Sequence, residues 1–243
     1  MKMEPQELNS GINAIGKYDP KYHLERSKRR TRVVSSFIIS LKQDSNGKPK
    51  PCKDCGRTYL HFQMQFDHLE SESKVINLSK ASRKRWRQSR IKSEIEKCEL
   101  VCIGCHRLRT HSRFKHIPNP RVWKPTGTFH SCKRCSNYLD TGFFYKSEGR
   151  IAWCYDCDHE RRVVKRIKRQ NYINGFKVKP CCLCGESFQP LLMDFDHIDP
   201  TVKSFSISHG IRLNVNLNRL QEEMSKCRLL CVWCHVLVTH QGI

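Results

Sequence analysis

A chain of 243 residues with 38% hydrophobic residues, 15 cysteines and a formal net charge of +22 argues against one large apolar core and for small metal-stapled modules. So basic a chain points to a polyanionic partner, nucleic acid before membrane, because positive charge recurs along its whole length; a merely solubilising surface is the alternative. No apolar signal region opens the chain and no apolar run approaches the ~20 residues of a membrane span, so the expected setting is an intracellular, reducing compartment, cytoplasm or nucleus. There, cysteines in CxxC pairs bind metal and do not form disulfides.

Residues 1–50 read as a loose basic N-terminal arm, charged from Arg26 to Arg32, with one short helix or strand at Phe37 to Leu41 and a turn at Asn46-Gly47-Lys48-Pro49. Such an arm can follow a phosphate backbone; it serves equally as a solvated or nuclear-import segment. Residues 51–111 and 180–240 are one stretch written twice, at a constant offset of 129, with 22 of 61 positions identical. Each copy opens PCxxCG, reaches an F-D-H tripeptide and closes KCxLxCxxCHxLxTH. Trp86 faces Val215, as at a surface position free to diverge.

In the first copy, Leu60, Phe62, Met64 and Phe66 alternate as in a strand, which ends at Asp67-His68. Neighbouring strand residues face opposite sides, so Asp67 and His68 serve one site only if the backbone turns there. A basic segment holding Arg83 and Arg85 leads into a helix with Ile91, Ile95 and Cys98 on one stripe. The second copy gives that stripe as Leu213, Leu217, Leu220, Met224 and Cys227. A further helix begins at the last CxxC-H of each copy.

Residues 117–131 read as a linker. Cys132, Cys135, Cys154 and Cys157 have the CxxC-x18-CxxC spacing of a zinc ribbon. From Glu160 to Tyr172 a helix is expected, with Val163, Val164 and Ile167 on one side and Arg161, Arg162, Lys165 and Arg166 among the cations covering the rest. Those cations contact phosphates or form a solvated face.

Twelve cysteines fall into three pairs of CxxC: Cys52/Cys55 with Cys102/Cys105, Cys132/Cys135 with Cys154/Cys157, and Cys181/Cys184 with Cys231/Cys234. Four thiolates leave zinc no open position, so these three sites are expected to be structural. Cys98 and Cys227 read as small buried thiols on the apolar stripe; Cys182 has no counterpart in the first copy. Zinc leaves unexplained Asp67, His68 and His106, repeated as Asp196, His197 and His235. A hard divalent cation needs an oxygen ligand, imidazole can complete the set, and a neutral histidine nearby can deprotonate water. His111 and His240, five residues further on, sit roughly 140° round the helix from His106 and His235, as phosphate contacts or packed residues.

The combined motif CxxC…FDH…KCxLxCxxCHxLxTH resembles the zinc-bearing HNH (ββα-metal) endonucleases of phages, mobile introns and large DNA viruses, including the endonuclease VII type. The resemblance covers about half the chain. It implies an α+β fold of small zinc-stapled modules, with HNH unit 1 at residues 51–116 and HNH unit 2 at 173–243, flanking a zinc-ribbon module with its basic helix at 132–172. It implies His68 and His197 as general bases, and Mg2+ or Mn2+ on Asp67 with His106 and on Asp196 with His235. The implied activity is hydrolysis of DNA phosphodiesters, leaving 5′-phosphate and 3′-hydroxyl ends. With two units in one chain, a monomer would act as a pseudo-dimer on duplex DNA, each unit cutting one strand. Where many HNH enzymes carry the Asn that braces the base, this chain has Lys97 and Lys226. The alternative is a zinc-binding nucleic-acid-binding protein with one or both units inactive.

Overall fold

The computed structural model describes residues 19–69, 75–84, 86–113, 124–144 and 153–242; Arg85 and part of the predicted linker lie outside them. The fold is α+β. The chain divides into two units, Met1–His106 and Arg107–Ile243.

The first unit opens with α1 (Pro20–Ser40), started by Pro20 in its first turn and by Asp19, whose side chain accepts from the Lys21 amide. The described part of the loose arm expected here, residues 19–50, is therefore mostly one long helix of 21 residues. Val34, Phe37, Ile38 and Leu41 recur on one face and pack against Ala81, Ile91, Leu78 and Trp86. Strand β1 (Met64–His68) follows a single 3-10 turn at His61–Gln63, so the alternating run from Leu60 is strand only in its second half. Two short helices, α2 (Ala81–Lys84) and α3 (Gln88–Ile95), lead to β2 (Cys98–Cys102), which runs antiparallel to β1 and passes directly into α4 (Ile103–Arg113).

In the second unit, the short strands β3 (Phe129–Ser131) and β4 (Tyr138–Asp140) form the central hairpin. Helix α5 (Tyr155–Phe176) is longer at both ends than the expected Glu160–Tyr172. Its middle is largely solvated, Val164 and Ile167 included, with Val163 half-buried, and it enters cores near its ends, at Cys157 and Ile173. The second copy then repeats the first: β5 (Met193–His197), α6 (Ile207–Arg212), α7 (Leu217–Ser225), β6 (Cys227–Cys231) and α8 (Val232–Gln241). The single stripe expected from Leu213 to Cys227 is broken. Leu213 is exposed where α6 ends, Asn216 caps α7, and Cys227 opens β6. Cys98 likewise opens β2, and both thiols are half-buried, each donating to the carbonyl of the glutamate four residues before it. Trp86 and Val215 are not free surface positions; both are partly buried against equivalent cores.

The repeat extends further upstream than its constant offset reveals. At an offset of 135, Ile38 matches Ile173 and Lys42 matches Lys177. Lys42 Nζ donates to the Met64 carbonyl at 2.7 Å and Lys177 Nζ to the Met193 carbonyl at 2.6 Å. Each ammonium also lies near the ring of the phenylalanine two residues along the strand, Phe66 and Phe195. Each copy therefore docks a long preceding helix, and the turn at Asp44–Gly47 hides this from the sequence comparison.

Candidate metal centres and Asp-His sites

Three four-cysteine groups gather: Cys52, Cys55, Cys102 and Cys105; Cys132, Cys135, Cys154 and Cys157; Cys181, Cys184, Cys231 and Cys234. Their ligand atoms all lie within 4.8 Å of one another in each group. A tetrahedron with zinc–sulfur bonds of about 2.3 Å has an edge of about 3.8 Å. The Cys135–Cys154 and Cys184–Cys231 sulfur pairs, both at 3.9 Å, match that edge. All 15 cysteines carry free thiols. In the first knuckle of each group a residue of positive φ follows the second cysteine, Gly56, Ser136 or Gly185, and its amide donates back to the first cysteine's carbonyl. The thiols of each group split: against burial, amides donated to sulfur lower Cys132 to about 6 and Cys52 and Cys181 to about 7, while burial and neighbouring sulfurs raise Cys105, Cys154, Cys157, Cys231 and Cys234. One thiol per group is poised to ionise, a bound zinc would ionise the rest, and four sulfurs at this spacing fit structural zinc.

The two strand pairs bring the Asp-His landmarks together. Asp67 Oδ1 lies 3.4 Å from His106 Nε2, and Asp196 Oδ1 lies 3.6 Å from His235 Nε2. The sequence requires a backbone turn for Asp67 and His68 to share a site. Instead the ladder runs through both, pairing Asp67 with Glu99 and His68 with Cys98. The two side chains therefore leave the strand on opposite faces, Asp67 towards α4 and His68 towards α3.

His68 meets a residue the sequence reading passed over. Glu94 on α3 accepts from His68 Nε2 at 2.8 Å, from the Val75 and Ile76 amides, and from Lys97 Nζ. Glu223 on α7 repeats this with His197 Nε2 at 2.9 Å, the Ser204 and Phe205 amides, and Lys226. Lys97 and Lys226 thus hold the glutamate that holds the histidine. The signal was available, since Glu94/Glu223 and Lys97/Lys226 are identical pairs in the two copies. With Nε2–H given to a carboxylate, Nδ1 keeps the lone pair.

Burial pushes both glutamates up, but the amides, the histidine and the lysine outweigh it and hold each near a pKa of about 2. A folded-state pKa below the ordinary 4.5 stabilises the fold above pH 4.5, and that contribution is lost as pH falls through about 2. Glu223→Gln is therefore expected to lower stability at pH 7 by about 3 kcal/mol, since it breaks a buried ionic network. Urea titrations of the zinc-loaded parent and variant at pH 7, with zinc content measured for each, read this difference; equal midpoints contradict the assignment.

The copies differ around their Asp-His pairs. His235 Nδ1 is bound to Asp194 at 3.1 Å, where the first copy has Gln65. Asp194 in turn takes Arg107 at 2.8 and 3.0 Å. Burial raises Asp194, but His235 and Arg107 hold it well below the carboxylate range, and Asp194 raises His235.

Of the residues expected to meet nucleic acid, Arg83, Lys165 and Arg166 are exposed, as are His111 and His240 in the last turns of α4 and α8. Arg161 and Arg162 are both paired with Asp158; Arg85 lies outside the described residues. The basic run from Arg26 to Arg32 lies on α1, where Arg26, Arg29, Arg30 and Arg32 line a cleft of the first unit with Trp86 and Arg87. Glu25 at its edge is paired with Lys28.

Compared with protein-family models, curated proteins and solved structures, the chain matches none. Among the described residues, no helix is long and apolar enough to cross a membrane.

Proposed function

We propose that the chain is a zinc-stapled endonuclease of HNH type that hydrolyses phosphodiester bonds of duplex DNA. The observation that carries this reading is the arrangement built twice on one frame: an Asp-His pair at 3.4–3.6 Å, next to a histidine fixed by a buried glutamate. One carboxylate oxygen and one imidazole nitrogen at that separation suit Mg2+ or Mn2+, whose other positions go to water and substrate oxygens. A cation held by Asp67 and His106 would neutralise charge building on the phosphate. His68 Nδ1 takes the proton from the attacking water. Glu94 fixes the ring's tautomer and stabilises the imidazolium that forms. Because His68 is the last residue of β1, a phosphodiester lying across the strand end reaches both faces. The first-unit cleft, with its arginines, supports the choice of a phosphate-backbone partner.

A binding-only protein is favoured by one observation: the His68 and His197 side chains are 10% and 6% exposed. Incubating the zinc-loaded chain with end-labelled duplex and Mg2+ or Mn2+ separates the readings. Shortened strands with 5′-phosphate and 3′-hydroxyl ends are expected; intact strands at full binding occupancy leave the binding-only protein.

Duplex binding should weaken steeply with salt, because each phosphate neutralised contributes about −0.9 to the slope of log K against log salt. Exchanging Arg26, Arg29 and Arg30 together for glutamine should flatten that slope by about 2–3. An unchanged slope places the duplex elsewhere.

A further inference from the structure

The ladders that carry the two Asp-His pairs are not equivalent. Opposite Asp67 stands Glu99; opposite Asp196 stands Arg228, whose Nε donates to Asp196 Oδ2 at 2.9 Å. We propose that Arg228 closes the second Asp-His pair to a divalent cation, so that the chain has one tight cation site, at Asp67 and His106, and breaks one strand per binding event. This rests on the endonuclease reading above and replaces its expectation of two equal sites with a division of labour.

The two copies differ in charge on one fixed frame. On the ladder the first copy presents Gln65, Asp67 and Glu99, formally −2; the second presents Asp194, Asp196 and Arg228, formally −1. The arginine sits on the very carboxylate a cation would use, so a cation entering there must displace it or share the oxygen pair with a guanidinium. Asp194 works in the opposite direction, since an outer carboxylate that orients a histidine ligand improves metal affinity by about 10–100-fold. Its charge, however, is already answered by the two-pronged Arg107 contact. Exchanging a glutamate for an arginine reverses the sign of a full charge beside a doubly charged ion, and that change outweighs the orientation of one ring.

Titration of the zinc-loaded full chain with Mn2+, with free Mn2+ read by electron paramagnetic resonance, tests this. The parent should bind one ion per chain, with any second ion at least about tenfold weaker. Arg228→Glu, which copies the first repeat, should bring the second ion close to the first in affinity. Arg228→Gln should give a smaller gain and guards against a folding defect, zinc content being measured for each variant. Asp67→Asn should remove the tight ion. Two ions of equal affinity in the parent, or no gain from either Arg228 variant with three zinc ions retained, overturns the proposal and leaves the nuclease reading standing. No Mn2+ bound at either copy overturns both.

Discussion

Cys231→Ser is expected to lower the zinc content by one ion per chain and to unfold the second copy. Cys231 closes β6, accepts the Cys234 amide at the start of α8 and supplies one of four gathered sulfurs. The apolar core around it is small: Met193, Leu229, Leu230 and Val238, with Cys181 and Cys231 themselves. Structural zinc contributes roughly 10–16 kcal/mol in small modules, whereas a whole domain is stable by only about 5–15 kcal/mol. Losing the metal therefore removes as much as the fold has. Elemental analysis with hydrogen exchange over residues 180–242 reads both effects. Retained zinc, or protection unchanged through β5 and β6, would contradict the role given to the cysteines.

His68→Ala should lower Mg2+-dependent nicking by about 10²–10⁴-fold, the usual contribution of a positioned general base. Zinc content and the salt dependence of DNA binding should not change, because His68 is neither a zinc ligand nor part of the arginine cleft. Glu94→Gln keeps a partner for Nε2 but removes the charge that stabilises the imidazolium, so a smaller loss is expected, with the pH profile of the rate displaced. His197→Ala should leave nicking near the parent rate if Arg228 closes the second site. Equal losses from His68→Ala and His197→Ala would instead return both copies to equal standing.

Much of the frame was legible because the chain spells it twice. CxxC spacing names four-cysteine groups directly, since knuckle geometry is local, and β1 and β5 end at Asp67-His68 and Asp196-His197 as the motif indicates. Helix boundaries were less legible. A charged, mostly solvated helix such as α5 shows little periodicity, and α1 buries only Val34 fully. The bracing of His68 was missed because Glu94 lies 26 residues away and acts across the fold. A glutamate amid basic residues looks like an ordinary surface charge until Ile76, His68 and Lys97 are seen converging on it. The imbalance at Glu99 and Arg228 was hidden for another reason: only the strand register sets those residues opposite the aspartates.

The most direct test of the central claim is supercoiled plasmid incubated with zinc-loaded parent and with His68→Ala, each with and without added Mg2+, at equal DNA occupancy. The account predicts nicked circles from the parent only when Mg2+ is present, and about 10²–10⁴-fold less from His68→Ala. Nicking that needs no added cation, or a His68→Ala protein as fast as the parent, would contradict it.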